Sequence, residues 1–267
     1  MKALKYILYS LVIAAAAGLL VYQGFVTKTL DSNGITRCVL IIAAAVIGML
    51  KPARRRVSNK KVLYQKAYGE FIRDAFQEDP KLEKKFYAAV DDYNRGRFAA
   101  GVDKLTKLRR ECQRTNDLFA VIAFLGLCCD GMQANADAVK HYTDAAGIRN
   151  NSTLHSNCGM CYQRMGMPEE AEEAYHRAIA ADEKNAFAWN NLSVLYFREG
   201  EYEQALEYAE TAIEADATMV QALSCAAVCC GLLDDREGYE KYYRQAVAHG
   251  YDGRKIKEVL ARMNPDI

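Results

Sequence analysis

The feature that most constrains this chain is an internal period of 34 residues. Laid over 186–219, one unit places Trp189, Leu192, Ser193, Tyr196, Gly200, Tyr202, Ala205, Ala212 and Ile213 at unit positions 4, 7, 8, 11, 15, 17, 20, 27 and 28. The preceding unit, 152–185, places Cys158, Gly159, Tyr162, Gly166, Ala171, Tyr175, Ala178 and Ile179 at 7, 8, 11, 15, 20, 24, 27 and 28. Positions 4, 7, 8 and 11 share one face of a first helix, and 20, 24, 27 and 28 share one face of a second. Small residues at 8 and 20 predict close approach of the two helices, and Gly166 and Gly200 fall where the chain must turn. Pro168-Glu169-Glu170 reads as a helix start, with proline tolerated in the first turn and carboxylates facing the positive end of the helix dipole. A hairpin of this size cannot bury its own apolar face, so it must stack on its neighbours in an all-α array.

Fainter units flank these two. The stretch 82–115 keeps Ala88, Ala89, Gly96, Phe98, Gly101, Leu105 and Leu108 in register, and 119–151 keeps Leu125, Gly126, Ala138, Tyr142, Ala145 and Ala146. A fifth unit, 220–253, keeps Ala226, Ala227, Tyr243, Ala246 and Val247. Asp252 is placed to cap a last amphipathic helix within 253–267, which is expected to cover the final apolar face. Ahead of the array, 62–81 is expected to cap the other end, because Leu63, Tyr64, Tyr68, Phe71, Ile72, Ala75 and Phe76 form a helical stripe over 62–77.

The N-terminal part has a different character. Residues 1–61 carry ten Lys and Arg against a single acid, Asp31, a net of +9, whereas 62–267 carries 25 basic and 33 acidic residues, a net of −8. The whole-chain value of +1 is the cancellation of the two. Residues 6–26 contain no charge and, at about 1.5 Å per residue, are long enough for the roughly 30 Å hydrocarbon core. A second apolar run over 35–50 follows a loop with an Asn-Gly turn signal at 33–34, and the pair reads as a membrane hairpin. A cleaved signal peptide is the alternative for the first run, and a buried or interfacial helix for the second. The linker 51–61 supplies Lys51, Arg54, Arg55, Arg56, Lys60 and Lys61, which by the positive-inside bias places both termini on the cytoplasmic side. These cations are also expected to attract anionic lipid headgroups, at roughly 1 kcal/mol each near the surface.

The spacing of the small and aromatic residues in 152–219 resembles the tetratricopeptide repeat (TPR) family, strongly in those two units and less so in the other three. The resemblance implies an all-α TPR helical-hairpin solenoid of about five units with capping helices, and a bacterial membrane-anchored member when the N-terminal hairpin is included. Tyr239 departs from the pattern, since it stands where the family has a small residue. The family docks peptides or helices on a concave face lined by positions 2, 5, 9, 12 and 13 of each first helix. Carried over, the resemblance assigns Phe86, Val90, Tyr93, Leu127, Met160, Gln163, Arg164, Phe187, Asn190, Val194, Phe197 and Arg198 to that groove. It also assigns Asn191, at position 6, to holding a ligand backbone. The basic pair that clamps a chaperone C-terminal carboxylate is missing from positions 5 and 9. The aromatic and aliphatic residues, with a few amides and two arginines, suit an apolar peptide or an amphipathic helix instead.

Nine cysteines, including the Cys158-Gly159-Met160-Cys161 spacing, raise a thiol or metal chemistry. Most of them fall at unit positions 7, 10 or 11, where a medium-sized apolar side chain is wanted, and no second pair at zinc-site spacing accompanies Cys158 and Cys161. His141, His155, His176 and His249 are dispersed over different units, and no glycine-rich phosphate loop is present. The sequence therefore leads to a non-enzymatic scaffold that needs no cofactor. It is expected to bind an unidentified protein partner through the groove, with membrane lipids at the linker and neither nucleic acid nor a small-molecule substrate. The expected setting is the cytoplasmic face of a plasma membrane. An envelope assembly or export factor with its repeats outside the cytoplasm, and a thiol or metal protein using Cys158 and Cys161, are the alternatives.

Overall fold

The computed structural model describes residues 59–263, which form twelve helices and, among the described residues, no strand. They are α1 (Asn59–Ile72), α2 (Pro80–Asn94), α3 (Phe98–Arg109), α4 (Thr115–Gly131), α5 (Asn135–Ile148) and α6 (Ser152–Met165). The rest are α7 (Pro168–Ala181), α8 (Ala186–Glu199), α9 (Tyr202–Ala215), α10 (Val220–Leu232), α11 (Arg236–Ala248) and α12 (Gly253–Met263). The expected membrane hairpin over 6–26 and 35–50, and Lys51, Arg54, Arg55 and Arg56, lie outside the described residues. Lys60 and Lys61 fall in the first turn of α1. No helix among the described residues is long and apolar enough to cross a membrane.

The described residues from Tyr68 onward form one compact unit. Within it, α2 to α11 pack as five successive hairpins, each against the next, and α12 closes on α10 and α11. The helix starts have local causes. Asp79 Oδ1 accepts the N–H groups of Lys81 and Leu82 at 2.8 and 3.0 Å, Asn151 accepts that of Leu154, and Asn185 accepts those of Phe187 and Ala188. The α6 and α8 ends are closed by Gly166 and Gly200 at φ 72° and 86°, where a side chain would be strained.

Inside each hairpin the packing is a fit of unequal partners. An added Cβ at Gly159 would stand 2.4 Å from the Tyr175 ring, and one at Gly126 would stand 2.6 Å from the Tyr142 ring. Both tyrosines are fully buried. In the fourth hairpin the same two positions hold Ser193 and Ala209, and Ser193 uses its hydroxyl to donate to the Ala205 carbonyl at 2.7 Å. Between the third and fourth hairpins, Asn185 Nδ2 donates to Ser152 Oγ at 2.6 Å, which in turn donates to the Ala178 carbonyl at 2.7 Å.

Two boundaries differ from those read in the sequence. α4 begins at Thr115, four residues ahead of the 119 boundary, and Asp117 in its first turn is buried and accepts the Phe76 N–H at 2.6 Å. The helix expected over 62–77 departs from helical geometry at Tyr68 (φ −128°, ψ 24°) and ends at Ile72. Phe76 then takes a positive φ of 58°, which directs its N–H to Asp117 and takes the segment out of helical register.

Candidate partner-binding face

The first helices α2, α4, α6 and α8 present the residues assigned to the groove, and the structure divides those residues into two groups. Phe86 and Val90 are completely buried, which corrects their assignment as ligand contacts. The cause is the stretch Tyr68–Phe76, which lies on the face of the first repeats rather than against the end of the stack. Phe76 packs on Phe86 with ring centroids 4.7 Å apart, and Tyr68 meets Phe124 edge-on at 5.1 Å and Tyr93 at 6.2 Å. Phe71 reaches Phe119 and Phe124. Tyr93 is thus half-covered, and burial pushes its hydroxyl up to about 12. Leu127 is also only partly exposed.

Polar contacts hold the same stretch. The Tyr68 hydroxyl donates to Asn94 Oδ1 at 2.9 Å. Arg149 stacks its guanidinium 4.2 Å from the Phe119 ring and donates to the Glu70 carbonyl at 3.2 Å and to Asn116 Oδ1 at 3.0 Å. The Glu70 carboxylate accepts from Thr153 Oγ1 at 2.9 Å and Asn151 Nδ2 at 3.3 Å, at the start of α6, where the helix dipole favours an anion. None of these roles is visible in periodicity. The aromatic run before the array is the only sequence signal, and it reads equally well as a cap.

From the third repeat on, the face is open. Phe187 is 64% exposed, an unusual state for a phenylalanine on a well-formed helix. Met160, Asn191 and Val194 are partly exposed beside it, and Arg198 is exposed with no ion-pair partner among the described residues. Asn190 is 7% exposed and its side-chain carbonyl oxygen is buried without a hydrogen-bond partner. The side-chain nitrogen of Gln163 is in the same state. A buried polar atom left unpaired costs about 1–3 kcal/mol.

Two assigned residues are engaged elsewhere. Arg164 is paired with Asp130 and donates to Asn135 Oδ1 at 3.0 Å, so its charge is already met within the array. Phe197 is only partly exposed. It packs against the apolar cluster built by α10 and α11 and lies 5.6 Å from the Tyr202 ring, so it supports the next repeat as well as facing the groove.

The thiols are set for packing. Burial pushes Cys158 up to about 12 and Cys161 up to about 11, so both are protonated thiols at neutral pH. Among the described residues no three His, Cys, Asp or Glu side chains gather closely enough to hold a metal ion. All eight cysteines among the described residues are free.

A stacked array of helical hairpins with one partly open, partly apolar face defines a helical-repeat protein. Residues 151–218 match the tetratricopeptide repeat family model, and the fold is that of a TPR array. A TPR repeat-containing protein of Methanocaldococcus jannaschii is 29% identical over 118 residues, which are 42% of this chain and 20% of that protein. The chain thus spans about a fifth of the length of that curated relative. A tetratricopeptide repeat protein from Parabacteroides merdae superposes with a TM-score of 0.57 at 17% identity, over 68% of this chain and 71% of that one. YrrB, a TPR protein with an unusual peptide-binding site, superposes with a TM-score of 0.51 at 17% identity, over 73% of this chain and 96% of that one. At such identities the structural likeness is one of fold.

Proposed function

We propose that this protein is a membrane-anchored scaffold. Its N-terminal hairpin holds the TPR array at the cytoplasmic face of a bacterial plasma membrane, and the array captures a protein partner there. Binding of protein partners is the general capacity of a TPR array. The observation that carries the choice of surface is the Phe187 ring, 64% exposed in the first turn of α8, with Asn190 one helical turn further along the same helix. An extended or helical segment with an apolar side chain for Phe187 and polar backbone groups beside it suits this face. The anchoring rests on the uncharged run 6–26, the shorter run 35–50 and the cations of 51–61. The free thiols accord with a reducing compartment.

The test is affinity capture with the full-length protein in its membrane, compared with Phe187→Ala combined with Asn190→Ala. Recovery of specific partners is expected to fall roughly tenfold or more, the scale of a lost hot spot. Unchanged recovery would reject the surface. Phe187→Ala is preferred to Phe197→Ala because Phe197 also holds the following repeat. Reporter fusions placed after residue 61 test the topology. Activity confined to reporters that work outside the cytoplasm would overturn it in favour of an envelope assembly or export factor.

A further inference from the structure

The stretch Tyr68–Phe76 occupies the face on which the open repeats are read to take a partner, and it does so with ligand-like chemistry. It touches first helices of three successive repeats through Asn94 on α2, Phe124 on α4 and Thr153 on α6. A cap would lie across one end of the stack, whereas this stretch runs along it. The hairpins beneath pair with one another without its help. It is bounded on one side by the break in helical geometry at Tyr68 and on the other by the turn that leads to α2. Phe76 is held at a positive φ, a conformation that a bulky residue keeps only while surrounding contacts sustain it. Phe71, Ile72 and Phe76 are buried and the Phe76 N–H bond to Asp117 is a buried one, so the segment is held as a seated ligand is, by side chains more than by a backbone ladder.

We propose that Tyr68–Phe76 is a resident ligand of the array, an intrachain occupant that a partner of the same pattern replaces. The inference rests on the groove reading above and extends it to the first three repeats. The partner it specifies is a short segment with aromatic residues three apart and an acidic residue between them, as Tyr68, Glu70 and Phe71 are arranged. The acid is selected because its place is the start of α6, where Asn151 and Thr153 donate. While the resident segment is seated, docking is confined to the third to fifth repeats.

The test uses the full chain and a fluorescent peptide of residues 66–78 added in trans. The full-length variant Phe71→Ala with Phe76→Gly weakens the resident copy and leaves the array side of the contact intact. It is expected to bind the peptide at least tenfold more tightly than the unaltered chain, and adding Arg149→Ala is expected to reverse most of that gain. Equal binding by both chains, with helix content preserved in circular dichroism, would overturn the proposal. So would loss of the array helices in the variant, since the stretch would then be part of the core. Amide exchange on the unaltered chain is the second measurement. The Phe76 N–H is expected to exchange at least tenfold faster than amides within α6 and α8, and equal protection counts against a separable ligand. The peptide reads repeats one to three, whereas Phe187→Ala with Asn190→Ala reads the open repeats, so each reading can fail without the other.

Discussion

At Gly159 the array has no room for a methyl group, because the buried Tyr175 ring fills the space where a Cβ would stand. Gly159→Ala must therefore push the ring or part the two helices, and its expected cost is about 1–3 kcal/mol in urea unfolding. The tyrosine itself carries an odd liability. Its hydroxyl is buried without a hydrogen-bond partner, and burial raises its pKa well above the ordinary value. Tyr175→Phe is expected to leave stability unchanged or to raise it by up to about 1 kcal/mol, since it removes a desolvated group and keeps the ring. A loss of more than about 1 kcal/mol in the same urea titration would mean that the hydroxyl has a partner after all. The sequence showed that position 8 is small and position 24 large in these units. It did not show that the oxygen on the large residue is a cost, because periodicity records volume and polarity pattern and not the partner of each atom.

Helix positions were largely legible because several starts have a local cause in the sequence, such as Asp79, Asn151 and Asn185, and because Gly166 and Gly200 mark two ends. What lies on each helix was less legible. An apolar stripe on α2 shows that Phe86 and Val90 face something, and only the structure shows that the something is Tyr68–Phe76 and not a partner. Buried acids escaped notice for the same reason. Asp92 on α2 is buried and takes hydrogen bonds from Lys104 Nζ at 2.5 Å and Arg97 Nε at 2.8 Å, tying α2 to α3. The Lys104 bond, and then that of Arg97, hold its carboxyl below the usual carboxylate range against the opposing effect of burial. A depressed folded-state pKa means that the contribution is complete above the unfolded value of about 4 and is lost as pH falls through the folded value. Asp92→Asn is therefore expected to cost about 1–3 kcal/mol at pH 7 and to flatten the decline in stability below about pH 4. Denaturant midpoints measured from pH 3 to pH 7 on both chains check this, and parallel curves would contradict it.

Across the whole molecule, the charge is split between a strongly basic N-terminal stretch and an acidic array, and the array's apolar residues are divided among the interfaces between neighbouring hairpins. Stability in such a stack is a sum of local terms, so damage at one end stays there. Leu260 on α12 presses against Gly231 of α10, with its Cδ2 2.8 Å from where a Cβ would be, and closes the last apolar face with Ile256. Leu260→Ala is expected to cost about 2–4 kcal/mol locally and to speed amide exchange in α10 to α12 while leaving α2 to α5 unchanged. A uniform rise in exchange over all repeats would show instead that the array unfolds as one unit. The glycine and tyrosine pairs bear on a different hazard, one shared by every chain built from similar pieces. Such a chain can assemble out of order, with a helix of one hairpin seated in another. A second helix bearing Tyr142 or Tyr175 needs a glycine opposite it, and Ser193 on α8 offers none. The unequal partners thus act as partial addresses, since a helix bearing either tyrosine is refused by Ser193 for lack of space.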